Sequence, residues 1–122
     1  MKKILIADDE FLVRLGLKTT INWQEHGFII VGEAKNGKEA LELFEQFDPD
    51  ILLTDIRMPI MDGLTLTKQI KTNPKLKEIP VILFSSIANE ELKHKGLSVG
   101  ANAQITKPEI DKLVELVINI RG

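Results

Sequence analysis

The sequence predicts an α/β fold: a doubly wound (βα)5 three-layer sandwich, with a five-stranded parallel sheet between two layers of helices. Two observations lead to it. Five short apolar runs of strand length alternate with five stretches of helical periodicity. The clearest run, "PVILFS" (Pro80 to Ser85), is continuously apolar rather than alternating, as a strand covered on both faces requires.

The elements follow in order. The first strand is "KILIA" (Lys3 to Ala7). A helix runs from about Phe11 to Ile21, with Trp23 packed under its end. "FIIVGEA" (Phe28 to Ala34) is the second strand. Asn36-Gly37 then signals a turn into "NGKEALELFEQF", where Ala40, Leu43, Phe44 and Phe47 share one stripe. "DILLT" (Asp50 to Thr54) is the third strand. The helix after it starts near Asp62-Gly63, has Leu64, Leu66 and Ile70 as apolar positions, and stops before Asn73-Pro74. Pro80 to Ser85 is the fourth strand. In "NEELKHKGLSVG", Asn89 is a good N-cap with two acids in the first turn. Leu92 and Leu97 are the apolar anchors, and Gly100 is the stop. "ANAQIT" (Ala101 to Thr106) departs most from strand preference, through Asn102 and Gln104. The last helix opens at Pro108 and turns Ile110, Leu113, Val114 and Val117 to the core. Leu116, Ile118 and Ile120 widen its apolar face, either to wedge between sheet and first helix or to meet a partner together with the fourth helix.

The 122 residues fit one domain, 1–122, with no linker, repeat, low-complexity segment or output domain. Sixteen basic against 18 acidic residues leave a formal charge of -2, which gives no pull toward nucleic acid or membrane. Cysteine is absent, so disulfides and thiolate metal sites are excluded and a cytoplasmic location is expected. "MKKILIADDE" begins like a secretory signal, but its apolar run stops after four residues at Asp8.

The carboxyl ends of the strands carry the chemistry. Asp8-Asp9-Glu10 ends the first, Asp55 the third, Ser85-Ser86 the fourth and Thr106-Lys107-Pro108 the fifth. In the common doubly wound order strands one and three are neighbours, so Asp8, Asp9 and Asp55 converge on one crevice. Three such carboxylates need a counter-charge or a proton. Mg²⁺ answers that need with carboxylates, water and a phosphoryl oxygen. Asp55 could then be ligand and nucleophile together, forming an acyl phosphate. Lys107 would neutralise the transferring group, and the Ser85 hydroxyl would donate to it. Taken singly, each acid reads as well as a helix N-cap, Lys107 as a solvated lysine and Ser85 as a turn residue. Their occurrence together, at one sheet edge, favours the site.

"ILIADDE", "LLTDIRMPIMDG", "PVILFSS" and "ITKP" resemble the response-regulator receiver domain of two-component signalling. The resemblance spans Met1 to Gly122 and implies the flavodoxin-like strand order 2-1-3-4-5. It implies Asp55 as phospho-acceptor, Asp8 and Asp9 as the acidic pair with Asp9 the more direct Mg²⁺ ligand, and the Arg57 backbone carbonyl as a further ligand. Ser85 corresponds to the switch hydroxyl and Lys107 to the phosphate-contacting lysine, with a cis Lys107–Pro108 bond. The implied partners are a sensor histidine kinase and an output domain or protein effector; the wide apolar face of the last helix adds a second copy, through helix four, strand five and helix five, as one possible partner. No direct nucleic-acid or membrane binding by this chain is implied. Gln104 stands where family members usually carry an aromatic switch residue. The resemblance is uneven: Met1 to Leu64 is closer to receivers of AraC-type regulators, and Ile79 to Ile110 to those of CheV-type coupling proteins.

Three other readings compete. A haloacid-dehalogenase-type phosphohydrolase needs an acid two residues after the nucleophile, where this chain has Arg57. A flavin module needs a phosphate-cradling loop where "DDEF" would repel phosphate. A receiver-shaped binding module without phosphorylation would not need Asp9, Asp55 and Lys107 together. A stand-alone, chemotaxis-type receiver acting on a protein partner is the alternative to a transcriptional output.

Overall fold

The computed structural model describes residues 1–86, 89–107 and 110–121, the side chains of Ile110 and Arg121 excepted. The strands are β1 (Lys2–Ala7), β2 (Phe28–Ala34), β3 (Ile51–Thr54), β4 (Val81–Ser85) and β5 (Ala103–Thr106). The helices are α1 (Phe11–Thr20), α2 (Gly37–Phe47), α3 (Gly63–Thr72), α4 (Glu90–Ser98) and α5 (Ile110–Arg121). All pairings are parallel, in the order β2-β1-β3-β4-β5.

Strand periodicity divides the core in two. Ile4, Ile6, Ile51, Leu53, Ile82 and Phe84 face one side, against Leu17 of α1 and Leu113 and Val117 of α5. The intervening Leu5, Ala7, Leu52, Val81 and Leu83 face the other, against Ala40 and Phe44 of α2 and Leu66 and Ile70 of α3. Every residue of β3 and β4 is therefore buried. Trp23 lies in a 3₁₀ turn (Trp23–His26) under α1, its indole N–H donating to the Leu17 carbonyl. Asn36, Asp62 and Asn89 cap α2, α3 and α4, each side chain accepting a first-turn N–H. Such caps are each worth about 1 kcal/mol. Among the described residues, no helix is long and apolar enough to cross a membrane.

Three expectations change. Leu97 does not anchor α4; it is 72% exposed. The helix rests instead on Gly96, where a Cβ would stand 2.5 Å from Gln104 Oε1 and 3.0 Å from Leu83 Cδ1. Close contact at residue 96 turns its neighbour, about 100° further round the helix, outward. Leu92 does pack on the α2/α3 side of the core. Phe47, at the end of the α2 stripe, keeps 36% of its surface exposed and so closes the stripe only in part. β5 starts at Ala103, because the two preceding residues do other work. The Ala101 N–H closes α4 on the Gly96 carbonyl, and Asn102 exchanges two hydrogen bonds with Val81 at the start of β4. The cis Lys107–Pro108 bond and the start of the last helix at Pro108 lie outside the described residues.

Core and surface leucines should therefore separate in denaturant unfolding. Leu53→Ala, at a fully enclosed position, should cost about 3 kcal/mol. Leu97→Ala should change stability by less than about 0.5 kcal/mol. Equal losses would contradict the placement of α4.

Candidate functional site

Ladder bonds continue one residue past the strand ends and set the site. The Asp55 N–H donates to the Ala7 carbonyl at 2.8 Å, and the Asp8 N–H to the Ala34 carbonyl at 2.9 Å. Asp8 and Asp55 thus leave neighbouring strands side by side, 1% and 7% exposed, with Asp9 exposed beside them. One carboxylate oxygen from each of the three lies within 4.8 Å of the others.

Lys107 reaches this cluster from the end of β5. Its ammonium is 2.7 Å from Asp8 Oδ2 and 3.5 Å from Asp55 Oδ1, and 5.8 Å from the Phe84 ring centre. The Lys107 N–H donates to the Ser85 carbonyl, which ties the lysine to the end of β4. Burial alone would lower the Lys107 pKa, but the Asp8 hydrogen bond and the charges of Asp55, Asp8 and Glu10 outweigh it and hold it above its ordinary value. For Asp55, burial and then the Asp8 charge dominate. They push it up to about 6 against the opposing pull of Lys107 and the Ile56 N–H.

Asp8 is held on every side. Its Oδ1 accepts the Glu10 N–H and its Oδ2 the Lys107 ammonium, while its carbonyl accepts Nη1 of Arg14 at 2.7 Å. Glu10, at the N-cap of α1, makes no side-chain cap. This acidic run is therefore spent on the pocket rather than on capping.

The loop after β3 is pinned against Asp55. Gly63 N–H donates to the Ile56 carbonyl, and a Cβ on Gly63 would fall 1.9 Å from the Asp55 carbonyl oxygen. Gly37, at the start of α2, donates to the Met61 carbonyl, and a Cβ there would stand 2.8 Å from that carbonyl oxygen. Between these anchors the Met61 N–H turns back to the Pro59 carbonyl at 2.6 Å, with Ile60 at φ 66°. This conformation costs a β-branched residue about 1–2 kcal/mol. Ile60 and Arg57 are both exposed on this loop.

The structure thus gathers Asp8, Asp9, Asp55 and Lys107 and puts the buried Ser85 at the same strand edge. An all-oxygen set of three carboxylates, one with a raised pKa, fits a hard divalent cation. Sequence reasoning overlooked Arg14 and Glu33, which pair at 3.1 Å, and the Phe84 ring beside Lys107. Each polar residue interrupts an apolar run, "FLVRLGL" and "FIIVGEA", and that interruption was the available signal.

The pocket's titration is measurable. An Asp55 pKa raised from 3.8 to about 6 means that the folded state binds this proton more tightly than the unfolded one. Stability attributable to Asp55 is therefore greatest below about pH 4, falls between pH 4 and 6, and stays lost above. In chelating buffer at pH 8, Asp55→Asn should be more stable than wild type by about 1 kcal/mol, after discounting for solvent at the mouth. The gap should close by pH 4 in chemical denaturation curves. A gap independent of pH would contradict the assignment.

Known proteins resemble this chain along its length. The response regulator receiver domain family matches residues 4–118. The transcriptional regulatory protein YdfI of Bacillus subtilis is 39% identical over 107 residues, 88% of this chain and 48% of YdfI. The chemotaxis protein CheY of Halobacterium salinarum is also 39% identical over 107 residues, 88% of this chain and 85% of that protein. The REC domain of AraT, a response regulator from Geobacillus stearothermophilus, superposes with a TM-score of 0.87 at 35% identity, covering 98% of this chain and 92% of that one. The chain spans about half the length of the transcriptional regulators it matches.

Proposed function

Because this chain belongs to the response regulator receiver domain family of two-component signalling, we propose that it accepts a phosphoryl group on Asp55 and passes the signal on by a change of shape. The observation that carries this reading is the convergence of Asp8, Asp9, Asp55 and the Lys107 ammonium at one strand edge.

Asp8, Asp9, Asp55 and the Arg57 carbonyl would hold Mg²⁺, whose chemistry when bound is to neutralise charge on the transferring group. The chain's own residues do the rest. A carboxylate with a pKa of about 6 is mostly ionised at neutral pH and can attack phosphorus. With a phosphohistidine of a sensor kinase as donor, a P–O bond to Asp55 forms as the P–N bond breaks, and the imidazole leaves. Lys107 and the Ser85 hydroxyl then contact phosphoryl oxygens. Moving Ser85 draws on the end of β4, and α4 beside it meets the sheet through bare backbone at Gly96. That contact suits an element that shifts at small cost.

The output face in this reading is α4, β5 and α5. Gln104 lies at its centre and lines a groove of about 520 Å³ with Lys93, Lys112, Glu115 and Leu116. A second copy or an output domain would dock there, in the cytoplasm. The match to transcriptional regulators about twice this chain's length supports an output of that kind.

Intact-protein mass after incubation with a small acyl-phosphate donor tests the reading. One phosphoryl adduct is expected, dependent on Mg²⁺ and abolished in Asp55→Asn. An unmodified wild type under all conditions would sink it and leave a binding module with the receiver fold.

A further inference from the structure

Arg14 is a charged side chain on the inward face of α1, 6% exposed. An arginine so buried needs partners for its whole fork. Its Nε meets Glu33 Oε1 at 3.1 Å, and the other Glu33 oxygen takes the Lys18 ammonium at 2.7 Å. The Phe11 ring covers the guanidinium at 5.7 Å. Burial pushes the Glu33 pKa up, but the hydrogen bonds and charges of Lys18 and Arg14 outweigh it and hold the carboxylate below its ordinary value. An edge-of-sheet ion pair would end there. Nη1, however, goes to the main-chain carbonyl of Asp8, at 2.7 Å and buried.

That carbonyl belongs to the peptide joining Asp8 to Asp9. Its orientation sets the direction in which Asp9 leaves the strand, because the peptide is planar. The Asp8 N–H and both carboxylate oxygens are fixed by other groups, and the Val13 and Arg14 N–H groups hold only the Glu10 carbonyl, so the Asp8 carbonyl is where a side chain of α1 grips the Asp8–Asp9 peptide itself.

β2 is built to bring Glu33 to this place. The β1–β2 register slips at Ile4/Leu5, leaving Val31 as an extra residue, so that Glu33 pairs with Ile6. Ile6 faces α1 and α5. Without the extra residue Glu33 would pair with Ala7, whose side chain faces α2 and α3, and its carboxylate would be on the wrong side of the sheet.

We infer that Arg14, braced by Glu33, is a positioning residue for the acidic pair: it anchors the Asp8–Asp9 peptide and so sets where the Asp9 carboxylate stands for a divalent cation. The inference rests on the reading of the pocket as a Mg²⁺ site. Neither Arg14 nor Glu33 touches the cation in this account. Arg14 acts through a backbone carbonyl, and Glu33 acts through Arg14.

Mg²⁺ binding by calorimetry, on wild type, Arg14→Met, Arg14→Lys, Glu33→Gln and Arg14→Met/Glu33→Gln, separates this role from stability. Ile21→Val, which trims the buried residue after α1, serves as a control that loses stability away from the peptide. Arg14→Met and Glu33→Gln should each weaken Mg²⁺ binding about tenfold. The double variant should be no weaker than Arg14→Met, Arg14→Lys should recover part of the loss, and Ile21→Val should bind as wild type. Arg14→Met and Glu33→Gln proteins that lose stability yet bind Mg²⁺ like wild type would overturn the inference and leave Arg14 a structural ion pair. Amide exchange at Glu10, whose N–H is held by Asp8, provides a readout without metal. It should quicken in Arg14→Met and Glu33→Gln but not in Ile21→Val. Were wild type to take up no Mg²⁺, the metal reading would fall by itself. Unchanged Glu10 exchange in those variants would then remove the positioning role as well.

Discussion

A parallel strand covered on both faces has no room for a charge along its length, because each side chain points into one of two apolar layers. Charge is tolerated only where the strand leaves the sheet, and in a parallel sheet all carboxyl ends emerge on the same edge. Asp8 follows β1, Asp55 follows β3, Ser85 closes β4 and Lys107 follows β5. The site forms because the buried stretches of four adjacent strands carry no charge and all four release their charged or hydroxyl groups at the same edge. Its electrostatics follow from that crowding. Asp55 is held near pKa 6 by burial and by Asp8, and Lys107 leans toward Asp8 at 2.7 Å rather than Asp55 at 3.5 Å.

Close backbone packing keeps this arrangement rigid. Gly63 lies against the Asp55 carbonyl and Gly37 against Met61, at distances no side chain permits. The loop from Ile56 to Gly63 is thereby fastened at both ends, and the strain of accommodating it appears at Ile60. A residue that unfavourable persists only where its surroundings over-determine the conformation. The contacts made by Gly37 and Gly63 supply that constraint here.

Most of this was legible because it depends on local pattern. Continuous apolar runs revealed the strands, Asn36, Asp62 and Asn89 marked helix starts, and the acids and Lys107 stood at strand ends by position alone. What escaped depends on contacts between elements. Leu97 has the right spacing for a buried position, yet Gly96 takes the contact because Gln104 and Leu83 leave space only for backbone. Asn102 looks like a poor strand residue, and it is a clamp on Val81 instead. Arg14 and Glu33 were visible as interruptions, but their meaning depends on a one-residue slip between β1 and β2 that no periodicity announces.

The Lys107–Asp8 pair closes a loop of 99 residues. Contacts so distant along the chain form late, after nearer ones have offset the entropy of bringing the ends together. During synthesis Asp8, Asp9 and Asp55 are all made long before Lys107. The first three strands can find one another early, but the acids they gather lack the Lys107 ammonium until β5 docks. The lysine thus acts as a completion mark, and a chain that lacks its last strand keeps its acids without the charge that reconciles them.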